Sequence, residues 1–291
     1  MTQTLVKSWL LFSFKKGIYR IRMKIPITIN LALMLISGFA QNLTGEDQHK
    51  GLVFYYDYSE VSEGKVSDKS GNGYDGAVHG NIKIVMDPVH GQVAKFAQGS
   101  YLELDHEKIK DDGNIPTKAF SVLAWVNVKN NGAHHEIFNA RGLELETWLV
   151  HSEVRVDDVY RWILRAVGPA PGKTIFEIRG GKPKTGKWVH YAGTYDRHRK
   201  PSAILYIDGV VVGTASGNLR VCRDWGLGAR VGINVNDSRP FVGMMDEISV
   251  WERGFNQQEV QKIIEKGLDG FLVVSPFGKL AIVWAKLKSK K

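Results

Sequence analysis

Short strand-like segments, separated by turn residues, constrain the fold of this chain more than any other feature. Asp208-Gly209 predicts a type I′ hairpin turn between two of them, because both residues tolerate positive φ. Many short strands at regular spacing predict an all-β, two-sheet antiparallel jelly-roll sandwich rather than a parallel sheet. The segments are rich in β-branched and aromatic residues that alternate with polar ones, and they span 51–58, 101–104, 120–128, 160–167, 174–179, 188–195, 203–207, 210–213 and 242–252.

One helix is predicted near the C-terminus, as a surface cover for the sandwich. In NQQEVQKIIEKGL, Asn256 precedes the apolar positions and Glu259 follows three residues later, which is the pattern of a capping box. Gly267 marks the predicted end of the helix. The next segment, FLVVSPFGKLAIVWAKLKSKK, predicts a terminal hairpin with a basic tail, so the last region is 267–291.

The N-terminal segment 1–40 predicts an extension followed by a secretory signal peptide. The sequence MKIPITINLALMLISGFAQ has a short basic start at Met23, an apolar run and a small-residue cleavage site before Gln41. An uncleaved anchor is the alternative, although the run is shorter than the roughly 20 residues of a membrane span. The expected location is secreted, periplasmic or cell surface, with Met23 as the true start. The single cysteine, Cys222, allows no intrachain disulfide.

The net charge of +9 lies in the two ends of the chain. Six basic residues and no acidic ones occur in 1–40, and five lysines occur in 278–291, which leaves a net charge of −2 for residues 41–277. A nucleic-acid-binding domain has a basic surface, and this body lacks the charge for one. We therefore expect no nucleic-acid partner. Separate expectations are that the membrane is contacted only through the signal peptide and that the chain is a monomer.

The segment DKSGNGYDG contains the glycine spacing of a dinucleotide-binding loop, but its flanks do not fit one. Such a loop needs a helix that begins at the third glycine, because the helix N-terminus binds the pyrophosphate. The residues after Gly76, AVHGNIKIVMDPVHG, contain glycines, a proline and β-branched residues that cannot form this helix. No nucleotide site is therefore expected.

The same segment also resembles the first half of a calcium-binding loop. Oxygen-bearing side chains recur at Asp68, Ser70 and Asn72, and the backbone carbonyl of Tyr74 would follow. Further carboxylates must then come from elsewhere, and Asp246 in MMDEIS is the best source. The alternative is that Asn-Gly and Asp-Gly in this segment are plain turns without a metal.

The ordered set of DKSGNGYDG, FSVLAWVNV, GKWVHYAGTYD, LYIDGVVVG and FVGMMDEISVWERGFNQQEV resembles a LamG-like domain of the concanavalin A-like lectin and glucanase superfamily over residues 50–266. The resemblance implies a two-sheet antiparallel jelly roll. It also implies a structural calcium near the Asp-x-Ser-Gly-Asn turn, with Asp68, Asn72 and Asp246 as ligands. The late disulfide of many members is absent here.

Catalysis has little support in the sequence. Glu144 and Glu146 lie two residues apart, as a pair of glycosidase carboxylates on one strand could. They do not fit the Glu-x-Asp-x-Glu pattern of the glucanases in the superfamily, however. His134 and His135 have no second ligand at metal spacing and are interpreted as a surface loop.

A non-enzymatic module that binds a polysaccharide or a glycosylated surface is the predicted function. The alternatives are a protein-adhesion module without a sugar site and a weak β-glucanase. Sugars bind to exposed aromatic faces beside planar polar groups. Trp125, Trp188 and Trp251 alternate within strands and are assigned to the core. The predicted binding residues are Trp148, Trp162, Trp225, Asn234, Asn236, Asp237 and Arg239.

Overall fold

A computed structural model describes residues 5–14, 17–26, 48–130, 132–143, 147–166 and 173–273. Contacts divide the chain into two units, one of which is His49–Val273. The described part of the other is an antiparallel hairpin of β1 (Leu5–Phe14) and β2 (Gly17–Pro26). Strand β2 includes the first four residues of the predicted signal peptide, and 27–47 lie outside the described residues, so the signal peptide stays a prediction.

The unit His49–Val273 is a sandwich of two antiparallel sheets, which confirms the predicted fold class. The first sheet has eight strands: β3 (Leu52–Tyr56), β7 (Ile82–Asp87), β8 (Gly91–Phe96), β10 (Ala119–Val128), β15 (Val189–Asp196), β16 (Ala203–Ile207), β17 (Val210–Ala215) and β19 (Gly243–Trp251). Their spatial order is β17-β16-β15-β10-β19-β8-β7, and β3 also pairs with β19.

The second sheet has nine strands: β4 (Val61–Ser62), β5 (Lys65–Val66), β6 (Gly76–His79), β9 (Tyr101–Glu103), β11 (His135–Gly142), β12 (Thr147–Val154), β13 (Tyr160–Arg165), β14 (Thr174–Gly180) and β18 (Gly228–Val231). Their order is β14-β13-β12-β11-β18-β9-β6-β5-β4. A strand, β6, begins at Gly76, where a nucleotide-binding loop would start a helix.

Alternation along the strands builds the core between the sheets. On β10, Phe120, Val122 and Ala124 face the main core, and Leu123 faces the opposite side. Phe120 packs across the sandwich on Trp162 of the nine-stranded sheet, with ring centroids 6.1 Å apart. The strand is therefore buried on both faces and reads as a nearly continuous apolar run.

Two helices lie within the described residues, and neither is long and apolar enough to cross a membrane. Helix α1 (His106–Asp111) is short. Helix α2 (Gln257–Leu272) covers Leu123 on the outer face of the eight-stranded sheet, and Asn256 and Glu259 form the predicted capping box.

Helix α2 continues beyond its predicted end. Gly267 leaves the helical conformation at φ 69°, but the chain then re-enters a helix through Leu272. Phe271 and Leu272, assigned from the sequence to the terminal hairpin, are helical because their side chains are buried in the cluster under α2. The remainder of that predicted hairpin, 274–291, lies outside the described residues.

Candidate functional site

The outer face of the nine-stranded sheet carries polar side chains in one row across its strands. Glu103 on β9 pairs with Arg230 on β18, which pairs with Asn139 on β11. Asn139 in turn pairs with His151 on β12. Phe138, next to Asn139 in the chain, belongs to the core, so alternation directs this row outward. Asn139 and His151 are nevertheless buried, so another part of the chain covers them.

The cover is the loop of residues 234–239, which follows β18. The backbone N–H of Val235 donates to Asn139 Oδ1 at 3.0 Å. Arg230 Nη1 donates to the carbonyl of Val235 at 3.2 Å and to Asp237 Oδ1 at 2.8 Å. The sheet therefore fixes the loop through side chains of its own polar row.

This 234–239 loop holds two residues in a costly backbone conformation. Asp237 has φ 61° and Arg239 has φ 60°, a backbone region that residues other than glycine seldom adopt. The N–H of Glu136 donates to the carbonyl of Arg239 at 3.1 Å and holds the strained residue on the sheet. Strain of this kind clusters at functional sites, where the surrounding structure maintains it.

Glu153 on β12 is the centre of an ion-pair network under the loop. Its carboxylate has no exposed surface, and it lies 2.6 Å from Arg161 Nη2 and 2.5 Å from Arg239 Nη1. Arg155 Nη1 and His134 Nδ1 each lie 3.5 Å away. A buried carboxylate is stable only when it is paired, and this one is paired on both oxygens.

Glu136 on β11 forms a second buried carboxyl group beside the network. Its Oε2 lies 2.6 Å from His151 Nδ1. Burial, together with the negative charge of Glu153, raises the pKa of Glu136 well above its usual range. Burial and the positive charge of Arg161 lower the pKa of His151 to about 2. A protonated Glu136 therefore donates to a neutral imidazole, and the pair adds no net charge.

The side chains of Glu136, His151 and Glu153 could be considered as metal ligands. Their ligand atoms lie within 4.8 Å of one another. Both oxygens of Glu153 already face guanidinium groups, those of Arg161 and Arg239 among them, and these positive charges oppose a metal cation. The group is better suited to hold the loop than to bind an ion.

A pocket of about 500 Å³ opens at the edge of this network. Arg239 and His134 join the pocket to Glu153. His135, interpreted from the sequence as a surface-loop residue, is instead buried at the start of β11. It is fixed by the carbonyl of Asn130 and the N–H of Val242. The lining residues are Gln98, Asn130, Ala133, His134, His135, Ser238, Arg239, Pro240 and Val242.

The predicted aromatic binding residues are not at this pocket. Trp162 and Trp225 are buried in the main core, which corrects their assignment as exposed sugar-binding groups. Trp162 Nε1 donates to the carbonyl of Thr194, so both its ring and its N–H are used internally. The side chain of Trp148 and residues Glu144 and Glu146 lie outside the described residues.

The predicted polar partners all lie in the 234–239 loop. Arg239 lines the pocket, whereas Asp237 pairs with Arg230. Asn236 Oδ1 accepts from Ser238 Oγ at 2.7 Å, and Asn234 is buried. The sequence did not indicate Glu153, Arg155 or Arg161, because their pairing depends on the register of β12 with β13 and on the distant loop that contributes Arg239.

Two tryptophans assigned to the core from the sequence are half-buried on the eight-stranded sheet. Trp125 and Trp188 pack on the ring of His90, with centroids 4.7 and 4.3 Å away. Trp188 Nε1 donates to Asp87 Oδ2 at 3.0 Å. Trp251, the third, is buried as predicted.

The Asp68 turn is organised by hydrogen bonds within the chain. Asp68 Oδ1 accepts from the N–H groups of Tyr55 and Ser70, and Oδ2 accepts from Ser70 Oγ and the N–H of Tyr74. Both carboxylate oxygens of Asp68 therefore accept from donors of the chain itself. A calcium ion would have to replace at least one of the donors.

The other proposed calcium ligands have partners as well. Asn72 Nδ2 donates to the carbonyls of Leu52 and Val53, and the carbonyl of Tyr74 accepts from a tyrosine hydroxyl at 2.6 Å. Asp246 Oδ2 lies 3.5 Å from His90 Nδ1. Calcium binding would therefore require these groups to exchange their present partners for the ion, and it stays a prediction.

Several solved structures share this fold. The receptor-binding domain of a botulinum neurotoxin C/D mosaic has a TM-score of 0.55 at 14% identity, covering 75% of this chain and 51% of that chain. Domain 4 of AbnA, an extracellular arabinanase from Geobacillus stearothermophilus, in complex with arabinotriose, has a TM-score of 0.51 at 20% identity, covering 73% and 98%. The botulinum neurotoxin serotype D ligand-binding domain in complex with N-acetylneuraminic acid has a TM-score of 0.53 at 13% identity, covering 76% and 52%.

The chain spans about half the length of the toxin domains that it matches. None of the curated proteins matches its sequence significantly. A Laminin_G_3 family model, described as the concanavalin A-like lectin/glucanases superfamily, matches residues 99–261, which is more than half of the chain. On that match, and with the sandwich and its polar outer face as described, the chain belongs to the concanavalin A-like lectin/glucanases superfamily.

Proposed function

We propose that this chain is an exported, non-enzymatic module that binds carbohydrate, a polysaccharide or a surface glycan, in the pocket beside the 234–239 loop. The observation that carries the proposal is the pocket itself. Its volume of about 500 Å³ is in the range of small-molecule sites. Asn130, Gln98, Ser238 and Arg239 supply the planar and hydroxyl groups that can bond sugar hydroxyls. Ser238 and Arg239 belong to the strained loop, whereas Gln98 and Asn130 follow strands β8 and β10.

The similar structures support a binding role without assigning one. Domain 4 of the arabinanase, 98% of which is covered, was solved with arabinotriose, and a toxin ligand-binding domain was solved with N-acetylneuraminic acid. Each of these proteins was solved with a saccharide, and each shares this fold over at least half of its length. Export is part of the proposal because of the apolar run after Met23, and N-terminal sequencing of the mature protein is expected to begin near Gln41.

A binding role is favoured over hydrolysis by the state of the carboxyl groups. Retaining glycosidases need two carboxyls that both reach the substrate. Glu136 and Glu153 are close to each other, but both are buried and Glu153 is held by guanidinium groups. Neither oxygen of Glu153 is available as a nucleophile in this arrangement.

Filling the pocket tests the proposal. A glycan array probed with the full chain is expected to give binding, and Ala133→Trp, which places an indole in the pocket, is expected to reduce it at least tenfold. Val210→Trp is the matched control, because Val210 is 59% exposed on β17 of the other sheet. Equal loss in both variants, or none in Ala133→Trp, contradicts the assignment of the pocket. A flat array from folded protein contradicts the carbohydrate proposal as a whole.

A protein-adhesion module is the second candidate, and one surface favours it. At the β7–β8 turn, Met86 is 75% exposed and Val89 is 83% exposed. The half-buried rings of Trp125 and Trp188 lie beside His90 of the same turn. Exposed apolar groups that cluster in this way are typical of protein contact sites. The protein-adhesion hypothesis predicts that the folded protein binds no glycan on the array.

A structural calcium ion at the Asp68 turn is also part of the proposal, supported by the alternating oxygen groups. If it binds, removal with a chelator is expected to lower the melting temperature, because an ion at 100 times its Kd stabilises the fold by about 2.7 kcal/mol. Asp68→Ala is destabilising with or without calcium, since Asp68 accepts four hydrogen bonds. The decisive result is therefore the effect of chelator on the wild type, and an unchanged melting temperature contradicts the calcium site.

A further inference from the structure

The charge balance around Glu153 leaves one cation incompletely paired. Arg155 also contacts Asp157 at 2.9 Å, and Arg161 also lies 3.5 Å from Glu177. Arg179 pairs with both of these outer carboxylates, so that four guanidinium groups share three carboxylates. For Arg239, Glu153 is the only carboxylate within ion-pair distance in the described parts of the chain. Arg239 shares that single negative charge with two other guanidinium groups.

The neighbouring carboxyl group does not supply the missing negative charge. Glu136 lies 2.6 Å from His151 Nδ1, and because burial raises the pKa of Glu136 and lowers that of His151, the pair carries no net charge. A partly buried cation without a full counter-charge carries part of the desolvation cost of a buried one. An anion that enters beside Arg239 would reduce this cost.

The pocket gives an anion access to Arg239. The side chain of Arg239 is 27% exposed and lines the pocket. The described lining contains no carboxylate that would repel an anion, and Asn130, Gln98 and Ser238 add neutral groups that can donate hydrogen bonds. A guanidinium binds a carboxylate through two parallel N–H donors, which sets direction as well as energy.

The position of Arg239 is fixed before any ligand arrives. Its carbonyl accepts from Glu136 N–H, and its Nη1 is held by Glu153. The loop closes on itself through the N–H of Asn234, which donates to the carbonyl of Ser238 at 3.0 Å. A rigid arginine loses little conformational freedom on binding, which favours affinity.

We infer that the pocket selects acidic saccharides, and that the carboxylate of a uronic or sialic acid pairs with Arg239. This inference rests on the proposed carbohydrate binding and adds the class of sugar. Neutral sugars of the same size lack the group that would complete the charge balance. Affinity should also fall as salt screens the exposed side of the pair.

Matched pairs of glycans test the inference with the full chain. The probes are sialyllactose against lactose, and oligogalacturonate against its methyl-esterified form, measured by calorimetry at low and high salt. We expect at least one acidic member to bind ten times or more tighter than its neutral partner. Arg239→Gln is expected to remove that preference, while Arg239→Lys retains part of it.

The control is Arg199→Gln, because Arg199 lies 48% exposed on a turn of the other sheet. Its affinity for the acidic probe should match the wild type within twofold. Equal binding of acidic and neutral partners overturns the inference but leaves carbohydrate binding intact. Binding of sulfated lactose alone overturns the carboxylate assignment. Absence of binding to every glycan overturns the proposed function together with the inference.

Discussion

Replacing Trp162 by alanine is expected to lower the free energy of unfolding by about 3–5 kcal/mol, the usual cost of removing a fully buried large aromatic side chain. Trp162 has no exposed surface and packs on Phe120 and Phe176, with centroids 6.1 and 5.9 Å away. A Cβ at Gly193 on the facing strand β15 would lie 2.6 Å from its ring. The indole therefore fits only because this position is a glycine. Denaturant unfolding of the purified variant measures the change.

Two variants separate packing from the general effect of mutation. Trp162→Phe retains most of the ring but loses the hydrogen bond to Thr194, and it should cost less than the alanine variant. Val89→Ala, at a side chain 83% exposed, should change the free energy of unfolding by less than about 0.5 kcal/mol. A loss below 1.5 kcal/mol in Trp162→Ala would contradict its place in the core.

The burial of Trp162 is hard to predict from the sequence because a charged residue precedes it. In VYRWILR, Tyr160, Trp162 and Leu164 alternate and all face the core, so the period was present. Arg161 makes this segment more polar, and polar surroundings favour an exposed tryptophan. Arg161 is itself buried, because Glu153 on the neighbouring strand neutralises it. That partner is eight residues away and cannot be assigned without the strand pairing.

The fold could be predicted further than the site because apolar alternation is a local signal. The turn at Asp208-Gly209 has positive φ at both residues, as predicted. Strands β11 and β12 were not predicted. Their outer positions, Glu136, Asn139 and His151, are polar yet buried, which breaks the expected contrast between a wet and a dry face. The burial of these polar residues is explained only by the 234–239 loop that covers them.

The tryptophans of the eight-stranded sheet show the opposite error. Trp125 lies in a strand with buried residues on both faces, and its sequence pattern predicts a core position. Helix α2 covers Leu123 but does not extend over Trp125, so the same outer face is closed at one residue and partly open two residues later. Where a covering helix ends depends on tertiary packing, so the sequence of the strand does not indicate which of its residues the helix covers.

The largest polar effect is expected for Glu153→Gln, which should lower the free energy of unfolding by about 3–5 kcal/mol, because removal of one partner leaves buried guanidinium charges uncompensated. Glutamine has almost the same volume as glutamate, so packing is preserved and the loss reports charge. Arg161 Nη2, 2.6 Å away, and Arg239 Nη1, 2.5 Å away, lose their shared anion.

A neighbouring carboxylate provides the comparison for this variant. Glu177, 34% exposed, pairs with Arg179 at 2.7 Å, and Glu177→Gln should cost less than about 1 kcal/mol because solvent screens the pair. The double variant Glu153→Gln, Arg161→Gln should be less destabilised than the sum of the single variants, since the second change removes a charge that the first left unpaired. Additive losses would mean that Glu153 acts through packing instead. The position of Arg239, and with it the acidic-sugar preference, would then not depend on this carboxylate.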